Sequence, residues 1–457
     1  MFKFYRYVLL GLIWIINLPA TANPYQWAES LNLTHQRVLA PVFNSEIQLY
    51  FANQDKTDLP SLTLIHGVGG SAQDFTEIIP RLAKKYKLVI VDLPGYGLSE
   101  RTDSLYSAAN YAASLAALLP DYINRHNIVI GHSMGGNISL QLVNIAPALA
   151  DKLILIDAAG LLHKYSYSKY AALHQTNKIP YIGEKLQKKL SNTIDKINSW
   201  LPNNIVDLVL SQPSRELILQ QNTSYISALS VMNEDLTGIF DNITTPTLII
   251  WGIDDPVMPY QVGFMLNSLL PQSQLEFIDK AGHSPQKTRT AKVNELVEKF
   301  IKKSKQKDQP EQLSLKNEDY LLDCKKNNKT KLEQLAYRTI RIENCSELTL
   351  HHVFAEKLQL LNSSVSVQYL TLQNHQDYAL EAKRSQLMVW GGKISSDKGM
   401  LLTRSQADFN GVIITTGSSL IKSDQFSHIL ASVSQAQEAD KQHLWHGFVL
   451  RSGRLVD

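Results

Sequence analysis

Apolar residues follow two rhythms along this chain of 457 residues. Between about Ile47 and Ile301, short runs with hardly a polar residue alternate with longer stretches of mixed character. The runs cover residues 61–65, 87–91, 127–130, 152–156, 247–251 and 274–278, and near-continuous apolar runs of that length predict strands buried on both faces. Between most of them lie helix-compatible segments such as 108–119 and 134–145. Strand and helix in alternation predict a mostly parallel sheet covered by helices.

The alternation lapses once, between Gly160 and Asp241. Here Ile182, Leu186, Leu190, Ile194, Ile197 and Leu201 recur at helical spacing, with Lys185, Lys188, Lys189 and Lys196 elsewhere on the wheel. A second helical stretch is expected over about 214–232. An excursion of this length between two core strands fits only above the sheet edge, so residues 161–240 read as a cap. Its amphipathic helix packs over the core or meets a lipid surface.

After Phe300 the rhythm changes. Residues 304–318 read as a linker, charged and Gln-rich at the start, and separate a unit at 23–303 from one at 319–457. In the second unit short strands are expected at 339–342, 348–350, 358–361, 365–372, 387–390, 400–403, 412–415 and 427–433, between Asn, Ser, Gly and Asp. Ser385, Gln386, Gly391 and Ile394 are echoed by Ser405, Gln406, Gly411 and Ile414 about twenty residues on, a period that predicts stacked rungs. The expected fold is therefore a doubly covered α/β sheet followed by a β-rich unit, a parallel β-helix or related solenoid, with a β-sandwich as the alternative.

The first residues belong to neither unit. Lys3 and Arg6 precede an apolar run that ends in Ala20, Thr21 and Ala22, the order of a secretory signal cleaved after Ala22. Residues 1–22 thus predict export, to a periplasm or beyond, with membrane association as a further option. Cleavage removes two bases and no acid, which leaves the full chain's formal charge of +3 two units lower and close to neutral. That excludes the strongly basic character of nucleic-acid binding. The two cysteines, Cys324 and Cys345, lie about one rung period apart and would meet on adjacent rungs; in an exported chain such a pair is expected to be bridged. Their spacing suits no zinc site, and neither a metal nor a cofactor is expected.

Chemistry concentrates where the apolar run from Asn127 breaks into Gly131, His132, Ser133, Met134, Gly135 and Gly136. A strand that turns sharply into a helix strains the residue at its apex and needs neighbours without side chains. Ser133 stands at that apex. A serine hydroxyl becomes a useful nucleophile only when a base takes its proton and a third group orients the base. Strand 247–251 ends in Gly252, Asp254, Asp255 and Pro259, and strand 274–278 in Gly282 and His283. Both follow carboxyl ends of core strands, where open α/β sheets build their sites.

With these motifs in the order Ser, Asp, His, residues from about 46 to 301 resemble an α/β-hydrolase with an inserted cap. His66, Gly67, Val68, Gly69 and Gly70 resemble the family's oxyanion loop. Asp92, Pro94, Gly95, Gly97 and Ser99 resemble a second family marker. The resemblance implies Ser133 as nucleophile, His283 as general base and then acid, and Asp255 as the orienting carboxylate. It also implies an oxyanion hole from the backbone N–H groups of Val68 and Met134, with Gly67, Gly131 and Gly135 as loop and elbow glycines. His66 and His132 are expected to brace loops, and Asp92 to be structural. Asp157, after strand 152–156, is an alternative acid because some relatives place it there.

The function expected is carboxylic ester hydrolysis through an acyl-enzyme, on a small-molecule or lipid ester. Two alternatives remain: carbon–carbon bond hydrolysis of diketones with the same triad, and a scaffold whose second unit touches an envelope surface or a polysaccharide.

Overall fold

The computed structural model describes residues 23–167, 170, 209–302, 313–326, 329–439 and 441–456. The expected signal segment 1–22, the amphipathic helix with its four lysines, and most of the expected linker lie outside the described residues.

Eight strands form the first sheet: β1 (Thr34–Ala40), β2 (Ser45–Ala52), β3 (Ser61–Ile65), β4 (Lys87–Val91), β5 (Asn127–His132), β6 (Lys152–Ile156), β7 (Thr247–Gly252) and β8 (Ser273–Ile278). Their order is β1-β2-β4-β3-β5-β6-β7-β8. β1, β2 and β4 pair antiparallel, and all pairs from β4 to β8 are parallel. The six apolar runs are the six parallel strands. In β4 every residue from Leu88 to Val91 is fully buried, as a strand covered on both faces requires. Helices α1 (Ala108–Leu118), α2 (Met134–Ile145), α3 (Thr223–Asn233) and α4 (Gln261–Leu269) contribute to one apolar core, and α5 (Thr290–Lys302) to the core on the opposite face.

The second helical stretch of the cap is two helices rather than one. Gln212–Leu217 and α3 are separated by Gln220 and Gln221, both in the left-handed region with φ of 49° and 52°. Two such residues cannot continue a right-handed helix. Asn222 then starts α3 by accepting the Tyr225 N–H at 3.1 Å. Glu234, just past α3, accepts the free N–H of Ala108 at 2.7 Å and the Asn137 and Gln141 amides at 3.2 and 3.1 Å, tying this part of the chain to α1 and α2.

The second unit is β-rich and holds a 12-stranded sheet: β9 (Lys316–Asp323), β10 (Lys331–Glu343), β11 (Leu348–Leu361), β12 (Ser364–Asn374), β13 (Leu380–Lys383), β14 (Gln386–Ser396), β15 (Met400–Thr403), β16 (Gln406–Thr416), β17 (Ile421–Ser423), β18 (His428–Glu438), β19 (Lys441–Arg451) and β20 (Arg454–Leu455). Pairing is parallel up to β18, and β18, β19 and β20 turn back antiparallel. Segments 348–350 and 358–361 are one strand, β11. The polar pair His351 and His352 suggests a break there, but His352 adopts φ of 56°, and the ladder resumes at Val353 against Leu370. Tyr369, Gly391, Gly411 and Val433 repeat that left-handed residue in successive strands.

Cys324 and Cys345 are bridged, 21 residues apart. The cystine ends a row of buried corner residues. The Cys345 N–H donates to Ser363 Oγ at 3.2 Å, Ser363 to Ser385 and Ser385 to Ser405 at 3.1 Å, and Ser405 to Ser427 at 3.2 Å. Each hydroxyl satisfies an amide that a bend in the strand would otherwise bury unpaired.

The two units share apolar packing. Trp390 and Val433 of the second sheet belong to the same core as Phe264 and Met265 of α4. A Cβ on Gly411 would lie 2.6 Å from Met265 Cγ, and Gly392 N–H donates to Ser268 Oγ at 2.9 Å. The repeating glycines Gly391 and Gly411, which lie within β14 and β16, are therefore also the seat of α4.

Candidate active site

Ser133 sits between β5 and α2 with φ of 53° and ψ of −121°. Such a conformation costs a serine about 1–3 kcal/mol and persists only where the surroundings enforce it. Here they do. Ser133 N–H donates to the Ile156 carbonyl at 2.9 Å, and the Ser133 carbonyl accepts from Gly136 and Ala159 at 2.9 and 3.0 Å. The turn closes tightly enough that a Cβ on Gly131 would stand 2.2 Å from the Gly135 carbonyl oxygen, and one on Gly135 2.1 Å from that of Ile65.

Ser133 Oγ donates to His283 Nε2 at 2.9 Å, and His283 Nδ1 donates to Asp255 Oδ2 at 2.8 Å. The other Asp255 oxygen accepts the N–H groups of Val257 and Met258 at 2.8 and 3.1 Å. The three side chains come from the carboxyl ends of β5, β7 and β8. Burial separates the neighbouring acids: Asp255 is 2% exposed, whereas Asp254 is open to solvent. The serine and histidine remain partly accessible, as a reacting pair must.

The loop after β3 approaches the serine from the other side. A Cβ on Gly67 would lie 2.8 Å from Ser133 Cβ, so only glycine lets this backbone come so near. His66 anchors the loop: its Nδ1 donates to the Gly67 carbonyl at 2.7 Å and its Nε2 accepts the Leu93 N–H at 3.1 Å. Both bonds require the neutral ring, and burial lowers the pKa of His66 accordingly. Val68 follows in this loop, and Met134 opens α2. Asp92 accepts the N–H groups of Ala72 and Leu98 at 2.7 and 2.9 Å, joining two loops and touching none of the three side chains.

Two buried groups lie close behind the histidine, and one of them bonds to it. His132 Nε2 donates to the His283 carbonyl at 2.6 Å, and burial, followed by the nearby His283, pushes the His132 pKa down to about 4. Asp157, after β6, accepts the Gly252 N–H at 2.8 Å with one oxygen and has φ of 45°. Its other oxygen is buried without a partner among the described residues, as is His132 Nδ1. Burial, and then the neighbouring Asp255 charge, raise the Asp157 pKa well above the ordinary carboxylate range. Ligand-type atoms of His132, Asp157 and His283 lie within 4.8 Å of one another. Both His283 nitrogens already serve Ser133 and Asp255, so this histidine is committed to the hydrogen-bonded line.

One contributor carried no sequence signal. Tyr170, at the start of the cap region, donates its hydroxyl to the Asp255 carbonyl at 3.2 Å. A tyrosine in a stretch that also holds Tyr165 and Tyr167 shows no spacing that would single it out.

The sheet order and the strand-to-helix turn at Ser133 define a class, and comparison with known proteins agrees. The model of the alpha/beta hydrolase fold matches residues 60–290, and the chain belongs to that family. It is a hydrolase. It is 28% identical over 269 residues to YugF, an uncharacterized hydrolase of Bacillus subtilis, a match spanning 56% of this chain and 95% of that one. Lipase 3 of a Moraxella species is 26% identical, over 52% of this chain and 76% of the other. Among solved structures, a thermophilic esterase from Thermogutta terrifontis is 20% identical with a TM-score of 0.43, covering 60% of this chain and all of its own.

Proposed function

We propose that this chain is an exported serine hydrolase that cleaves carboxylic esters through an acyl-enzyme. The observation that carries the reading is the unbroken line of hydrogen bonds from Asp255 through His283 to Ser133 Oγ. Ser133 Oγ attacks the ester carbonyl while His283 Nε2 takes its proton, and the N–H groups of Val68 and Met134 receive the oxyanion. The alkoxide leaves with that proton. Water, deprotonated by the same nitrogen, then attacks the acyl carbon, and Ser133 recovers its proton as the acid departs. The similarity to a lipase supports the ester as substrate. The cystine and the charged-then-apolar start of the chain support export, because disulfides persist in oxidising compartments.

A 24% identical relative from Cupriavidus pinatubonensis is named as a hydrolase of 2-hydroxy-6-oxo dienedioates, so carbon–carbon cleavage by the same three groups is the second reading. The second unit reads as a solenoid, supported by parallel strands in register about twenty residues apart.

The test is hydrolysis of short p-nitrophenyl esters by the mature protein. Ser133→Ala is expected to lower kcat by at least about three orders of magnitude with the melting temperature unchanged. Equal turnover in that variant refutes the assignment, and a vinylogous diketone cleaved much faster than any ester selects the second reading.

A further inference from the structure

A groove with a volume of 460 Å³ runs over the outward face of the second sheet. That is within the size of small-ligand sites, about 300–1,000 Å³. Its floor is built in two rows by the strand register. Ser364, Gln386, Gln406 and His428 are directly paired across β12, β14, β16 and β18, and Ser366, Met388, Asp408 and Leu430 form the row beside them. Phe448 and Arg451 of β19 and Tyr165 from the segment after β6 also line it, and the guanidinium lies 5.0 Å from the Phe448 ring centre.

The rows differ in chemistry. The first offers hydroxyl, amide and imidazole groups, and the side chains of Ser364, Gln386 and Gln406 make no hydrogen bond among the described residues. The second offers Met388 and Leu430, while Asp408 is already engaged by Ser166 Oγ at 3.3 Å. A ligand lying across the strands would therefore meet donors and acceptors along one edge and apolar surface under one face. Such surface, with aromatic rings beside it, suits the C–H face of a sugar ring. The repeat distinguishes the occupant further. Rungs recur every 4.7–4.9 Å or so, whereas an extended peptide advances only about 3.3 Å per residue and falls out of step. A chain of β-linked pyranose rings advances by about one rung per ring. Glu347 and Asp408 against the single Arg451 leave the lining slightly acidic, which disfavours an anionic ligand.

We propose that this groove binds a neutral oligosaccharide laid across the strands, one ring per rung. The polar row reads its hydroxyls, and Met388, Leu430 and Phe448 carry its apolar face. The site is separate from Ser133, although the segment that brings Tyr165 to the groove continues to Tyr170 on the Asp255 carbonyl.

Calorimetric titration of the full chain with cellotetraose and with tetra-N-acetylchitotetraose tests this, with an uncharged extended tetrapeptide as control. At least one tetrasaccharide is expected to bind saturably at millimolar concentration or below, equally to the wild type and to Ser133→Ala. Gln386→Ala with Gln406→Ala should weaken it about tenfold or more, the loss of one or two net hydrogen bonds, with unchanged melting temperature and ester turnover. Met388→Lys, which crowds the apolar row, is a second variant expected to weaken binding. Saturable binding of neither sugar, affinity unchanged in both variants, or preference for the peptide overturns the proposal. Because Ser133→Ala leaves the groove intact, failure here is distinct from failure of the esterase reading.

Discussion

Two carboxylates stand near His283, and their surroundings give them opposite characters. Asp255 receives three donors, from His283 Nδ1 and the Val257 and Met258 amides. Asp157 receives one, and its buried second oxygen is favoured in the protonated form. Asp157 is thus expected to act as a neutral prop behind the site, a part that an amide fills equally well. Asp255→Asn should lower kcat by about four orders of magnitude, because the amide holds the imidazole in the wrong tautomer. Asp157→Asn should keep activity within about tenfold, with an unchanged pH profile. Steady-state ester kinetics of the two variants decide the matter, and a collapse in Asp157→Asn would make it the orienting acid. The motif order already favours Asp255 with Asp157 as the alternative, and the direct bond from His283 Nδ1 to Asp255 agrees with that choice.

At the scale of elements, Glu234 fastens the cap region to the sheet's helices. Burial outweighs its four hydrogen bonds and raises its pKa from 4.5 to about 7. The folded state therefore holds this proton more tightly than the unfolded chain. Stability from this group is fully present below pH 4.5 and is lost as pH rises through about 7. In Glu234→Gln, the slope of melting temperature against pH across that interval should flatten, measured by calorimetry. An unchanged slope would place the dependence elsewhere. The break at Gln220 and Gln221 belongs to the same scale. Apolar spacing is continuous enough through 214–232 to suggest one helix, and nothing in two glutamines announces left-handed backbone.

Across the whole molecule, α4 couples the units. It follows the Asp255 loop, and Phe264, Met265 and Ser268 meet Tyr369, Gly392 and Gly411 of the second sheet. A chain ending at Lys302 would uncover that face. Burial of two such apolar side chains is worth about 3–6 kcal/mol, so the truncated protein should lose at least about 3 kcal/mol and aggregate more readily. Urea denaturation of full-length and truncated chains measures this. Two independent transitions in the full chain, with the first unchanged by truncation, would show that the units do not support one another.

The six parallel strands were legible because burial on both faces leaves a continuous apolar run, a local property. The elbow at Ser133 was legible because a tight turn demands glycine at fixed offsets, as Gly131 and Gly135 supply. The twenty-residue period was visible for the same reason: each rung repeats its own corners. What the tertiary structure decided is everything that depends on two distant segments meeting. It gave Asp255 and Asp157 their unequal surroundings, seated α4 on Gly391 and Gly411, and brought Tyr170 to the Asp255 loop. Burial, donor count and charge at a point in space are sums over neighbours far apart in the chain, and no local pattern carries them.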